Sequence, residues 1–123
     1  MDTFIIIGRI IFGGFFIYTG INGHFFQITA FTQYAGSKHV PMPRLAVFVS
    51  GLMITVGGLG VITHSYWNFS LWLIVLFLVV VTPKMHSFWN DTDPMAKMGN
   101  RVNFFKNLAL LGASLALMSS GGY

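Results

Sequence analysis

Four long apolar runs, separated by two long polar connections and one short turn, set the plan of this chain. The runs cover residues 3–23 (TFIIIGRIIFGGFFIYTGING), 45–63 (LAVFVSGLMITVGGLGVIT), 66–82 (YWNFSLWLIVLFLVVVT) and 104–120. Each approaches the roughly 20 helical residues that cross a hydrocarbon core of about 30 Å. The pattern predicts an all-α fold: a four-transmembrane-helix bundle forming a single membrane domain over 1–123, with interfacial segments in the two long loops.

The segments between the runs sharpen these bounds. Residues 24–44 are too aromatic for a solvated linker. Their centre is predicted to form a short helix at headgroup depth, with Phe25, Phe26, Phe31 and Tyr34 in the interface, Gly36 as its stop, and Pro41 and Pro43 barring helix until the second span. The last helix has the clearest start: Asp93 is placed to cap and Pro94 fits the first helical position, where no amide bond is lost. A helix from Pro94 to about Ser119 would be about 39 Å long, so its first turns are expected outside the hydrocarbon, with entry near Phe104.

Small residues mark the expected packing faces. Gly13 and Gly20 share a face of the first span; Ser50 with Gly57 and Gly51 with Gly58 leave one side of the second nearly bare; Ala109 with Ala113 and Gly112 with Ala116 do the same on the last. The third run is uniformly bulky. It is therefore expected to be the lipid-facing helix, with Pro83 marking its end.

Composition agrees with a membrane setting: 54% of the 123 residues are hydrophobic and 8% charged, against roughly 25% charged in soluble domains. The net charge of +4 would suggest nucleic acid in a soluble protein. Here the basic residues flank apolar spans, so anionic lipid headgroups are the expected partners and nucleic acid is not. The absence of cysteine excludes disulfides, thiolate nucleophiles and cysteine-held iron–sulfur clusters from this chain. The first apolar run starts directly after Asp2 with no small-residue cleavage pattern, and reads as a retained span.

Lys38, Arg44, Lys84, Lys97 and Arg101 lie in the two long connections, with Lys106 able to reach the same side, whereas the flanks on the other side carry no lysine or arginine. The positive-inside rule therefore predicts a multi-pass protein of the cell's inner (plasma) membrane, with long loops cytoplasmic and both termini outside. Arg9, inside the first span, is open to two readings: snorkelling to headgroups, or facing inward with a functional role.

Candidate chemistry concentrates between Pro83 and Asn107. Asn100, Asn103 and Asn107 recur at helical spacing beside Arg101 and Lys106, forming a polar face that should look into the bundle, toward His86 and Trp89. The plainer alternative is a set of hydrogen bonds tying helix ends together, with Trp89 as an interfacial anchor. His24 and His86 fall at the ends of different spans, but no HxxxH or HxxE pair accompanies them and no metal site is predicted. No P-loop, GxGxxG turn or GxSxG elbow occurs.

Taken together, GRIIFGGFFIYTGINGHF, VPMPRLAVFVSGLMITVGGLGVI and MHSFWNDTDPMAKMGNRVNFFKNLALLGASL resemble the DoxX family over almost the whole chain. The resemblance implies a small four-helix membrane protein, related to subunits of an archaeal terminal oxidase and of a thiosulfate:quinone oxidoreductase system. By position it points to Arg9, Asn22, His24, His86, Trp89, Asn103, Lys106 and Asn107 as candidate residues of a headgroup or quinone pocket. It departs at one point, since many members carry a glutamate shortly before the paired glycines, where this chain has Gly51-Leu52-Met53-Ile54-Thr55-Val56.

Three functions are compatible with these features. The first is a non-catalytic subunit or partner of a respiratory or sulfur-linked membrane redox complex, associated with other membrane subunits or with further copies of itself. The others are a quinone- or lipid-binding oxidoreductase component and a small-solute transporter; the last lacks interrupted helices and mid-bilayer charge. Catalysis by the chain alone is not expected, and no cofactor is required by the sequence, quinone being the one it suggests.

Overall fold

The computed structural model describes residues 2–123, and every regular element among them is helical. Helix α1 (Thr3–Tyr18) is capped by Asp2, whose carboxylate accepts from the Phe4 amide at 2.9 Å. It runs on without a break into a π-helical segment, Thr19–Phe25. Then come α2 (Ile28–Ser37), α3 (Pro43–Thr63), α4 (Trp67–Met85), a single 3₁₀ turn (Phe88–Asn90) and α5 (Pro94–Ser120). Four helices, Thr3–Phe25, α3, α4 with its 3₁₀ extension, and α5, are long and apolar enough to cross a membrane.

The start signals behave as their chemistry requires. Asp93 caps α5 by accepting from the Ala96 amide at 2.9 Å, and Pro94 is the first helical residue. Pro43 occupies the equivalent position in α3, so it opens that helix rather than merely preceding it. Pro83 does not stop α4, which continues to Met85. The lost hydrogen bond is tolerable near a helix end, where the remaining turn is short.

Successive long helices pack as neighbours, α1 on α3, α3 on α4 and α4 on α5; no comparable close packing joins α1 to α5. Instead α1 and α5 approach through long side chains, including Phe12 and Phe16 of α1 with Leu110, Leu111 and Leu117 of α5 around a core of Ile54, Val61, Trp67, Leu71, Ile74, Phe77 and Leu78. The expected small face of α3 turns out to be two faces. A side chain at Gly58 would strike the Gly13 carbonyl of α1, while one at Gly57 would strike the Ser70 carbonyl of α4. Adjacent helix positions point about 100° apart, so the paired glycines let α3 sit closely against a helix on each side.

Two expectations about facing are overturned. The bulky α4 is as enclosed as α3, burying Trp67, Ser70, Leu71, Ile74, Val75, Phe77, Leu78 and Thr82, with Phe69, Trp72, Leu76, Val79 and Val80 exposed on its outer side. Conversely, α5 buries only Asn107 and Ser114, and its Ala109, Gly112, Ala113 and Ala116 are all exposed. Ser70 and Ile74 of α4 pack against Gly57 and Gly60 of α3, so bulk was a mark of the centre here and not of the lipid surface.

Candidate functional site

The two ends of the bundle are built differently. One end gathers α2, the long connections and the starts of α3 and α5; the other gathers both chain termini and the 64–66 turn. The residues expected to form one site are divided between them.

Arg9 lies toward the terminal end and is only 7% exposed, its side chain turned in among the helices. Its guanidinium donates to the Ile62 carbonyl at 3.0 Å and to the Gly122 carbonyl at 3.2 Å. These are the C-terminal ends of α3 and α5, where unpaired carbonyls and the helix dipole favour positive charge. The neighbouring aromatics complete the clamp: Trp67 donates its indole proton to Leu117 at 3.2 Å, and His64 Nε2 donates to the Gly121 carbonyl at 2.6 Å. The His64 ring stacks on Trp67 at 4.5 Å. The role this geometry gives Arg9 is structural.

At the loop end two separate polar groups form. His24 sits in the π-helical segment, 7% exposed, and its Nδ1 donates to the Val47 carbonyl at 3.0 Å, with Ser50 Oγ 3.1 Å away. This bond places the proton on Nδ1 and leaves Nε2 as the acceptor nitrogen. The Phe31 and Phe77 rings meet the imidazole edge-on at 5.1 and 5.8 Å. Gly51 makes the approach possible, since a side chain there would fall 2.6 Å from His24 Cβ.

The second group is centred on Asn100. His86 Nδ1 donates to Asn100 Oδ1 at 3.2 Å, and Asn100 Nδ2 donates to Asp91 Oδ2 at 2.7 Å. The Tyr34 hydroxyl donates to the Met85 carbonyl at 2.8 Å and lies 3.2 Å from Asn100 Oδ1. Lys38 approaches the other Asp91 oxygen at 3.9 Å. One asparagine thus joins the interfacial helix α2, the end of α4, the 86–93 connection and α5, and Tyr34 satisfies a carbonyl that the end of α4 leaves open.

The remaining candidates stand apart from both groups. Lys106 donates to Asn103 at 3.3 Å and lies over the Phe15 ring at 5.4 Å, bridging α5 to α1. Asn107 is buried within the bundle. Trp89 is 53% exposed and packs edge-on against Phe88 and Phe104. Asn22 donates to the Tyr18 hydroxyl at 3.3 Å on the outer side of the π-helical segment. His86 therefore hydrogen-bonds Asn100, and among the described residues no hydrogen bond joins it to Trp89, Asn103 or Lys106. No cluster of three potential metal ligands occurs among the described residues.

The partners that the sequence did not single out are Tyr34, Lys38, Ser50 and the Val47 carbonyl. A signal existed for Asn100 and Asp91, one in the polar stripe and one in the flanking loop, but the pairing of Asn100 with Tyr34 spans 66 residues in sequence and has no periodicity to betray it. The arrangement predicts that Asn100→Ala lowers stability by about 1–2 kcal/mol, since it removes the partner of two neighbouring groups. Thermal unfolding in detergent measures this. Asn103→Ala, which frees only Lys106, should cost less than half as much, and equal losses would refute a central role for Asn100.

The DoxX family model matches residues 4–87, which takes in α1 to α4 and stops short of Asp91 and Asn100. Inner membrane protein YphA of Escherichia coli (strain K12) is 30% identical over 90 residues, 72% of this chain and 63% of that relative. The alignment thus spans less than two thirds of the length of that curated relative. No solved structure matches the chain significantly. With four apolar helices, a buried cation clamping helix ends and this match over more than half its length, the chain belongs to the DoxX family of multi-pass membrane proteins.

Proposed function

We propose that the chain is a non-catalytic subunit that docks another membrane protein, in a respiratory or sulfur-linked redox complex of the kind its family resemblance implies. The observation carrying this reading is the uncovered small-residue face of α5. Only 11% of the apolar stretch of α5 is buried, against 39% in α3 and in α4. Ala109 with Ala113 and Gly112 with Ala116, each pair four residues apart, are all exposed, and a Cβ at Gly112 would meet nothing within 4 Å.

In lipid there is little hydrophobic gain in bringing two helices together, so close backbone approach across small residues is a main source of association. The exposed face of α1, by contrast, carries Phe4, Ile7, Ile10 and Ile11 and suits acyl chains. The two polar groups at the loop end also support a subunit role, because the hydrogen bonds of each run to its own members and to backbone.

Extraction from native membranes in mild detergent should yield an assembly heavier than the single chain. The double variant Gly112→Ile, Ala116→Ile should reduce recovery of that assembly by roughly ten-fold, equivalent to about 1–2 kcal/mol of lost helix packing, while leaving the chain's own unfolding temperature unchanged. A wild-type chain that elutes alone would refute the reading.

A further inference from the structure

A groove on the lateral surface at the loop end belongs to neither polar group nor the α5 face. It lies where the corner between the π-helical segment and α2 meets the start of α3, encloses about 610 Å³, and is lined by Phe25, Ile28, Leu45 and Phe48 with Arg44 at its rim. Phe25 and Phe48 form its wall, their rings 5.6 Å apart. Leu45 and Phe48 are half-exposed and face outward. Arg44 is the second residue of α3, a helix long and apolar enough to cross a membrane, so it falls at the end of the span, where headgroups would meet it.

The charge at the rim is uncompensated. Among the described residues no carboxylate lies within 4 Å of Arg44, and the three acidic side chains are otherwise engaged: Asp91 with Lys38 and Asn100, Asp93 in capping α5, and Asp2 in capping α1 at the opposite end. A molecule that suits this groove needs a flexible apolar part for the aromatic and aliphatic lining and an anionic oxygen group for a guanidinium, which binds phosphate in a fork of parallel hydrogen bonds.

We propose that this groove is a selective site for one anionic phospholipid, its phosphate on Arg44 and an acyl chain along Phe25, Ile28, Leu45 and Phe48. The inference is independent of what docks on α5.

The site is testable on the purified full-length chain in detergent by native mass spectrometry, using phosphatidylglycerol and phosphatidylcholine of identical acyl chains as probes. The wild-type chain should retain phosphatidylglycerol in preference to phosphatidylcholine by roughly five-fold, as expected for one basic residue near an anionic headgroup. R44Q should bring the two lipids to parity, and R44K should keep part of the preference. K84Q removes an unpaired cation at the same end but outside the groove, and should leave the preference intact. I28W, which fills the groove without altering charge, should lower retention of both lipids. Glycerol phosphate added in excess should not displace the bound lipid, because it lacks the acyl chain.

A preference that survives R44Q, or that falls equally in K84Q, would make the effect one of general surface charge and overturn the site. Unchanged retention in I28W, or displacement by glycerol phosphate, would overturn the part assigned to the apolar groove. Arg44 is exposed and makes no side-chain hydrogen bond among the described residues, so R44Q is expected to fold as the wild type does.

Discussion

Substituting leucine for Gly58 should unfold or severely loosen the bundle, at a cost of about 3 kcal/mol or more. The position has no slack. A Cβ at Gly58 would sit 2.5 Å from the Gly13 carbonyl oxygen and 3.1 Å from Ile17 Cγ1, and one at Gly13 would strike the Gly58 carbonyl in return. The obstacle in each direction is main chain, which cannot rotate out of the way as a side-chain tip can. Accommodation would require α1 and α3 to separate along their most extensive contact, and overpacking of even well-adapted cores costs about 1–3 kcal/mol.

Thermal unfolding in detergent, read by circular dichroism, would measure the loss. Gly8→Leu and Gly14→Leu are the matched controls, because a Cβ at either meets nothing within 4 Å; both should fall within about 0.5 kcal/mol of wild type, as ordinary surface substitutions do. A Gly58→Leu chain as stable as these would refute the proposed α1–α3 contact.

Arg9→Leu should cost nearly as much, about 3 kcal/mol, for a different reason. The substitution removes a buried cation, which alone could be neutral or favourable, but it strands the Ile62 and Gly122 carbonyls at two helix ends. A buried acceptor left without a partner costs about 1–3 kcal/mol. Arg9→Lys keeps the charge with a single ammonium in place of the two-armed fork, so it should recover about half of the loss. Limited proteolysis gives a second readout: the Gly121–Tyr123 segment, held by Arg9 and His64, should become accessible in Arg9→Leu and remain protected in Asn103→Ala. Protection retained in Arg9→Leu would show that His64 and Trp67 hold this end without it.

Much of this was legible in the residues. The four apolar runs gave four helices, the Asp93–Pro94 pair opened α5, the aromatic connection held an interfacial helix, and the glycines of α1 and α3 marked a close contact. The facing of α4 and α5 was not legible, because a helix that is apolar all round carries no amphipathic signal, and lipid removes the polar outer face by which soluble helices reveal their inner one. Small residues on α5 marked a surface, but the residues alone do not say whether a partner lies within the chain or beyond it. The candidate site was half legible: His24, His86 and the asparagine stripe were singled out by type and position, while Tyr34 and Ser50 gain their roles only through contacts across 66 and 26 residues.

The clamp on Arg9 also constrains the order of events during biosynthesis. The helix that carries it is made before α3, α4 and α5, and one of its two acceptors lies 113 residues later. At roughly 5–20 residues per second, α1 waits on the order of ten seconds before Gly122 exists. Through that interval its guanidinium must remain near water or headgroups, so α1 cannot take its final depth until α5 has been inserted. The seating of α1 therefore follows the insertion of α5, and nascent chains arrested before residue 122 should hold α1 nearer the surface than the folded protein does.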